Sequence, residues 1–285
     1  MNTLLPKSAG IGFKPKHFED VLSGRFDVSW LEVHPENYMG DGGLPHQNLT
    51  RIRESMPLSM HGVGMSLGSA DGVDQDHLKR LTALVERYQP TQVSEHLAWS
   101  HWNQTFLNDL LPMPYTAESL SVVATNVNSV QEALQRTILV ENPSLYLQFE
   151  GNEFSEAGFF NLLAEQTGCG LLFDVNNLYV CANNLGLNAQ EHLDELRIEN
   201  IGEVHLAGHS VEILANGSEL LIDDHGSSVC DEVWWLYQSL VRRLGDAVPT
   251  LIEWDTDTPD FSIMSQEAKK ANQAMTSALD LDTAA

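Results

Sequence analysis

Short apolar and β-branched runs recur along the chain, spaced so that a helix fits between most neighbours. They are "GIGF" (10–13), "SWLEV" (29–33), "PLSMHGV" (57–63), "TQVSEHLAW" (91–99), "TILVEN" (137–142), "GLLFDV" (170–175), "EVHLAG" (203–208) and "PTLIEW" (249–254). Being continuous rather than alternating, they predict strands buried on both faces. Between them, "DQDHLKRLTALVERYQ" (74–89) sets Leu78, Leu81, Leu84, Val85 and Tyr88 on one helical face, with Asp74 as N-cap and Pro90 as stop. Thr116 caps a helix over 117–135, and 188–200 and 230–245 read as two more, the last with Trp234 or Trp235 in the core. The four-residue first strand and the helix around "LPHQNLTRIRESM" are the weakest elements.

Eight strand–helix units predict an α/β fold, a single closed (β/α)8 TIM barrel. The 285 residues suit one such domain, 1–285, with no Ser/Gly/Pro-rich linker and a frayed tail from about 280 to 285.

In such a barrel, function gathers where strands end and βα loops begin. The third strand ends at His61, the fourth at Glu95 and His96, and the fifth at Glu141 and Asn142. Asp174, Asn176 and Asn177 end the sixth; His205 and His209 follow the seventh, with Asp223 and His225 in its long loop; Glu253 closes the eighth. Singly, each has an ordinary structural explanation: a lone histidine in a core, or Asn and Asp turning back on their own backbone. Together they change the picture, because buried charge without a counter-charge costs several kcal/mol and no strand end carries Lys or Arg. The set predicts a metal site. Imidazole and carboxylate without thiolate fit zinc, iron or manganese rather than magnesium or calcium cages. These candidate ligands exceed what one ion accepts, so two or three ions bridged by a carboxylate such as Glu141 are expected.

Charge and cysteine content narrow the partners. Forty acidic against 15 basic side chains give a net charge of −25, which repels nucleic acid and anionic membrane surfaces and suits a cationic peptide or a metal ion. Cys169, Cys181 and Cys230 are odd in number and form no CxxC pair, against both a disulfide framework and a thiolate zinc site. "MNTLLPKSAG" lacks the apolar segment of a signal peptide, and no run of about 18 apolar residues occurs, so a reduced, cytoplasmic protein is expected.

The motifs "WLEVHPENYM", "HGVGMSLGS", "SEHLAWS", "NDLLPMPY", "VENPS", "FDVNNLYV", "HLAGH", "DDHG" and "LIEWD", spread over residues 8–262, resemble the multinuclear non-heme iron-dependent oxidative enzymes. That family includes the iron oxidase of methanobactin biosynthesis and many bacterial barrel proteins. The resemblance implies a barrel similar to xylose isomerase and endonuclease IV. It implies two or three irons in mixed Fe(II)/Fe(III) state, with dioxygen as co-substrate. Cysteines of a ribosomally made precursor peptide would be converted to oxazolone–thioamide or thiooxazole groups, often for copper handling. A peptide-presenting partner protein encoded nearby is implied as well.

By motif, His61, His96 and Glu141 would serve one ion; Asp174, His205 and Glu253 the next, with Glu141 bridging; and Asp223 and His225 a third, near Asn177. Isomerase and endonuclease relatives carry histidine at the Asn177 position, which implies a more labile third site. Glu141, Glu253 and His209 are the expected catalytic residues, His209 either behind the metal ligands or as acid or base. Glu32, Glu36 and Asn37 are expected either at the substrate or behind the metal ligands, and His101 and Trp102 at the substrate, on a long aromatic loop, "WSHWNQTFLNDLLPMPY" (99–115). The rival expectations are a zinc or manganese hydrolase or sugar isomerase, which would use the same ligands to activate water, and a non-catalytic metal-binding protein.

Overall fold

A computed structural model describes residues 4–24, 26–102 and 105–282. The chain begins with β1 (Ala9–Gly12), α1 (Phe18–Ser23), β2 (Leu31–Val33), α2 (Leu44–Arg53), β3 (Leu58–Gly62), α3 (Gln75–Tyr88) and β4 (Gln92–His96). It continues through β5 (Trp99–Trp102), β6 (Thr105–Leu111), α4 (Ala117–Leu134), β7 (Leu139–Glu141), α5 (Glu156–Thr167), β8 (Gly170–Asp174), α6 (Val175–Leu185) and α7 (Ala189–Glu195). Then come β9 (Ile201–Leu206), β10 (Ser210–Ile213), β11 (Glu219–Ile222), α8 (Asp231–Leu244), β12 (Thr250–Ile252) and α9 (Phe261–Asp282).

Eight of these strands close into a barrel in the order β1-β12-β9-β8-β7-β4-β3-β2. Each overlaps one of the apolar runs, and the pairs with recorded register are parallel. The expected (β/α)8 architecture is therefore present. By contact density the chain forms two compact units. One is built mainly from Val33–Pro143 and Gln148–Leu172, the other from Pro6–Glu32, Ser144–Leu147 and Phe173 onward.

Local chemistry explains the helix limits. Asp74 accepts from the amides of Asp76 and His77 to start α3, which buries Leu78, Leu81, Leu84, Val85 and Tyr88 as the spacing predicts. Thr116 and Ser119 form a reciprocal capping box at α4. The helix expected over 188–200 is shorter: α7 stops at Glu195 and a 3-10 turn occupies Ile198–Asn200. Arg243 donates to the carbonyls of Asp194 and Leu196, both at 3.0 Å, and so captures acceptors that a longer helix would use internally. In α8 the buried stripe is Val233, Leu236, Tyr237, Leu240 and Val241. Contrary to expectation neither tryptophan joins it: Trp234 is half-buried against Tyr237, and Trp235 falls on the outer side, 56% exposed.

Two segments expected as loops contain hairpins. β5 and β6 pair antiparallel within 99–115, and β10 pairs with β11 between His209 and Asp223. Asn103 and Gln104 of "WSHWNQTF" lie outside the described residues. The turn of the second hairpin carries Asn216 and Gly217, the latter at φ +82°, a dipeptide suited to tight hairpin connections. At the C-terminus α9 runs to Asp282, into the expected tail, whose residues 283–285 lie outside the described set. No helix among the described residues is long and apolar enough to cross a membrane.

Close packing fixes β1 against the residue preceding β2. A Cβ on Gly10 would lie 2.4–2.8 Å from the ring of the fully buried Trp30, whose Nε1 donates to the Ser8 carbonyl at 2.9 Å. Gly10→Ala should therefore lower stability by about 1–3 kcal/mol, the usual cost of overpacking, measured as the urea midpoint at unchanged m-value.

Candidate metal centre

In the first unit, strand register builds the site. His61 on β3 pairs with Ser94 on β4, and His96 on β4 pairs with Glu141 on β7. Residues two apart on a strand share a face, so Ser94 and His96 point the same way, between His61 and Glu141. His61 Nε2 and His96 Nε2 lie 2.9 and 3.0 Å from the same Oε2 of Glu141, and 3.3 Å from each other. The outer ring nitrogens are also engaged: His61 Nδ1 is 2.8 Å from Ser94 Oγ, and His96 Nδ1 is 3.0 Å from the Gly62 carbonyl.

A carbonyl only accepts, so His96 carries a proton on Nδ1 and in its neutral form presents a lone pair at Nε2. That lone pair faces a carboxylate oxygen and another imidazole nitrogen. The arrangement favours positive charge, either a second proton on His96 or a metal ion. Burial pushes the His96 pKa down, but Glu141, with help from Glu95, outweighs it and raises it to about 10. A proton on His96 meets Glu141, whereas a metal ion could take both nitrogens and the oxygen at once. Donor atoms on a tetrahedral ion at about 2.0–2.1 Å stand roughly 3.3 Å apart, close to the spacings found here. His61, His96 and Glu141 are among the groups whose donor atoms converge enough to hold an ion.

Two carboxylates, the half-buried Glu36 and the buried Glu95, hold the loop that follows His61. Glu36 Oε1 accepts from the amides of Val63 and Gly64, both at 3.0 Å, and lies 3.3 Å from His77 Nε2. Burial pushes Glu36 up, but His77 and the amides outweigh it and leave its carboxyl below the usual range. Glu95 accepts from Met65 N at 3.1 Å and His96 N at 3.0 Å. A Cβ on Gly62 would come within 2.4 Å of Glu95 Oε2, so the glycine makes room for that carboxylate. Asn37 is exposed on the 3-10 turn Pro35–Tyr38; His101 is 3.2 Å from Ser69 Oγ, and Trp102 is 64% exposed.

The second unit repeats the pattern. Glu253 Oε2, just after β12, faces His205 Nδ1 at 3.0 Å and His225 Nδ1 at 3.4 Å. His225 Nε2 in turn is 2.7 Å from Asp223 Oδ1. Both imidazoles are driven well above the ordinary histidine range: burial opposes the charge, but Glu32 and Glu253 at His205, and Asp223 and Glu253 at His225, prevail. Asp174 ends β8 and caps α6, its Oδ1 accepting from Asn177 N at 2.7 Å.

Asn176 links the remaining members. Its Nδ2 donates to Asp223 Oδ1 at 2.9 Å, so its Oδ1 accepts from His209 Nδ1 at 2.8 Å. His209 Nε2 therefore carries the lone pair of the neutral ring, and burial lowers the pKa of that ring. Beneath His205 lies Glu203, fully buried and absent from the strand-end set; burial and neighbouring Glu32 push its carboxyl up to about 8. Its position two residues before His205 on one strand is the signal that marks it. Lys14 reaches Asp255 at 2.6 Å at the edge of this cluster. The donors throughout are nitrogen and oxygen, which fits iron, zinc or manganese.

A family model described as "RiPP precursor modification enzyme MbnB/TglH/ChrH" matches residues 8–276. The chain belongs to this family. Its relatives include the UPF0276 protein RB0508 of Rhizobium meliloti (strain 1021), 47% identical over 271 residues, which covers 94% of this chain and 86% of that one. The UPF0276 protein VV3194 of Vibrio vulnificus (strain YJ016) is 42% identical over 278 residues, 98% of this chain and 95% of its own. Among solved structures, endonuclease IV from Thermus thermophilus aligns with TM-score 0.60 at 14% identity, over 95% of this chain and 99% of that one. An L-ribulose 3-epimerase gives TM-score 0.60 at 15% identity, over 97% and 95%. At such identities these two show that the chain shares their barrel fold, and nothing about substrate.

Because His96 must lose its extra proton before it can ligate, metal affinity should rise with pH up to about 10, with protons released on loading. Calorimetric titration of zinc in buffers of different ionisation enthalpy checks this. His96→Ala should reduce bound metal by about one ion per chain by elemental analysis, with the far-ultraviolet circular dichroism unchanged.

Proposed function

We propose that this chain is a multinuclear iron-dependent oxidase that uses dioxygen to modify cysteine residues of a ribosomally made precursor peptide. Membership of a precursor-modifying family supports the substrate class. The observation that carries the metal chemistry is the carboxylate oxygen set between two buried imidazole nitrogens, found once at Glu141 and again at Glu253. In this proposal His61, His96 and Glu141 hold one iron. Asp174, His205 and Glu253 hold a second, and Asp223 and His225, with Asn177 beside them, hold a third. When bound, the irons in mixed valence would supply thiolate binding and the redox chemistry with dioxygen.

The protein's own residues do the rest. His209, its proton fixed on Nδ1 by Asn176, offers Nε2 as a base for the proton lost from the peptide. Its lowered pKa keeps the ring neutral and able to accept near pH 7. Glu36 and Glu95 keep the loop after β3, and with it His61, in place. Asn37, His101 and Trp102 are assigned to the peptide, and the acidic surface suits a peptide with basic residues. A peptide-presenting partner and a role in copper handling complete the proposal.

The test is incubation of iron-loaded protein with the cysteine-bearing peptide encoded beside it, with its partner, with and without dioxygen, followed by mass spectrometry. Modification should require both iron and oxygen, and should fall below detection in His96→Ala and Glu253→Gln. His209→Gln should slow turnover by about 10²–10⁴-fold, the usual worth of a general base, while leaving metal content intact. Turnover of a sugar by the zinc or manganese form, with the peptide untouched by the iron form, would replace the proposal with an isomerase.

A further inference from the structure

β9 presents Glu203 and His205 two residues apart, so the two side chains leave the strand on one face. Glu32 of β2 reaches the same place. All three are buried, at 0–3% exposure. Oε1 of Glu32 lies 3.3 Å from His205 Nε2, and Oε1 of Glu203 lies 3.6 Å from the same nitrogen. The opposite ring nitrogen, Nδ1, is 3.0 Å from Glu253 Oε2, the oxygen that also faces His225.

A metal-bound imidazole is neutral, with one nitrogen on the ion and the other carrying the proton. At His205 the two sides of the ring are unequal. Nε2 meets the oxygens of two carboxylates on β2 and β9, whereas Nδ1 meets the oxygen of Glu253, itself assigned to the ion. A proton on Nε2 is attracted by the negative charge that Glu32 and Glu203 carry between them; a proton on Nδ1 would compete with the ion for the same oxygen of Glu253. The contrast with the first unit is direct, since His96 keeps its proton on Nδ1 against the Gly62 carbonyl and turns Nε2 inward.

We infer that Glu32 and Glu203 are positioning residues that hold the His205 proton on Nε2 and so aim its Nδ1 at the metal shared with Glu253, the opposite ring nitrogen from the one His96 uses. This inference rests on the metal reading of His205 and Glu253. It gives Glu203 a role, and it places Glu32 behind a ligand rather than against the peptide. It also explains why carboxylates tolerate burial on the far side of a ligand: negative charge behind an imidazole makes it more basic and favours one ring orientation.

Two measurements on the full-length protein test it. The first is the nitrogen-15 spectrum of histidine-labelled, Zn²⁺-loaded wild type, with His205 and His96 assigned by substitution. A protonated Nε2 and zinc-shifted Nδ1 at His205, with the reverse at His96, is the expected result; zinc on Nε2 of His205 would overturn the inference. The second is Zn²⁺ titration of apo-protein. Glu32→Gln and Glu203→Gln should each weaken the site that His205→Ala abolishes by about 10–100-fold, the usual effect of removing a ligand's carboxylate partner. Zinc at the site that His96→Ala abolishes should be unaffected. If His205→Ala removes a zinc site that both glutamine variants leave untouched, the positioning role is wrong and the metal reading stands. If His205→Ala leaves the zinc stoichiometry unchanged, both fail together.

Discussion

At two places in the fold a pair of imidazole nitrogens converges on one buried carboxylate oxygen, and each such cluster favours positive charge held among its members. Glu141 Oε2 stands between His61 and His96, and Glu253 Oε2 between His205 and His225. In each, removal from water penalises bare charge, and the geometry concentrates negative potential where positive charge is wanted. The surrounding structure serves this constraint. Ser94 and the Gly62 carbonyl occupy the outer nitrogens of His61 and His96, while Asn176 ties Asp223 to His209.

The scaffold provides the precision. In parallel strands the register decides which side chains meet, and a one-residue slip would send His96 to the other face from Glu141. Helices with clean caps pin the strands from outside; Asp74 and Thr116 each satisfy amides that would otherwise go without a partner at a helix start. Beyond the strand ends, Glu36 and Glu95 replace regular structure with carboxylate-to-amide hydrogen bonds. These bonds, with Asn126 of α4 donating to the carbonyls of Leu67 and Ser69, give a glycine-containing loop a fixed shape.

Much of this was open to view in the sequence, for identifiable reasons. A strand buried on both faces has no polar alternation to disguise it, so the eight apolar runs stand out. Ligands at strand ends follow from barrel geometry once the strands are placed. The hairpins escaped because their strands mix polar and apolar residues and are largely exposed, although Asn216-Gly217 marked one turn. Glu203 escaped because attention to strand ends passes over an acid inside an apolar run. The ring nitrogen that each histidine presents was not legible at all, since distant partners such as Gly62 and Glu32 set it.

Asp174 occupies two roles at once. Its Oδ1 starts α6 by accepting from Asn177 N, and the same carboxylate belongs to the proposed ligand set. A metal ion there and a helix amide would draw on one rigid group, so occupancy and the ordering of the first turn of α6 become thermodynamically linked. Withdrawal of the ion would then be felt as increased fraying of that turn, which carries Asn176 and hence the hydrogen bond that orients His209. The proposed metal site and the proposed proton acceptor would then be lost or gained together.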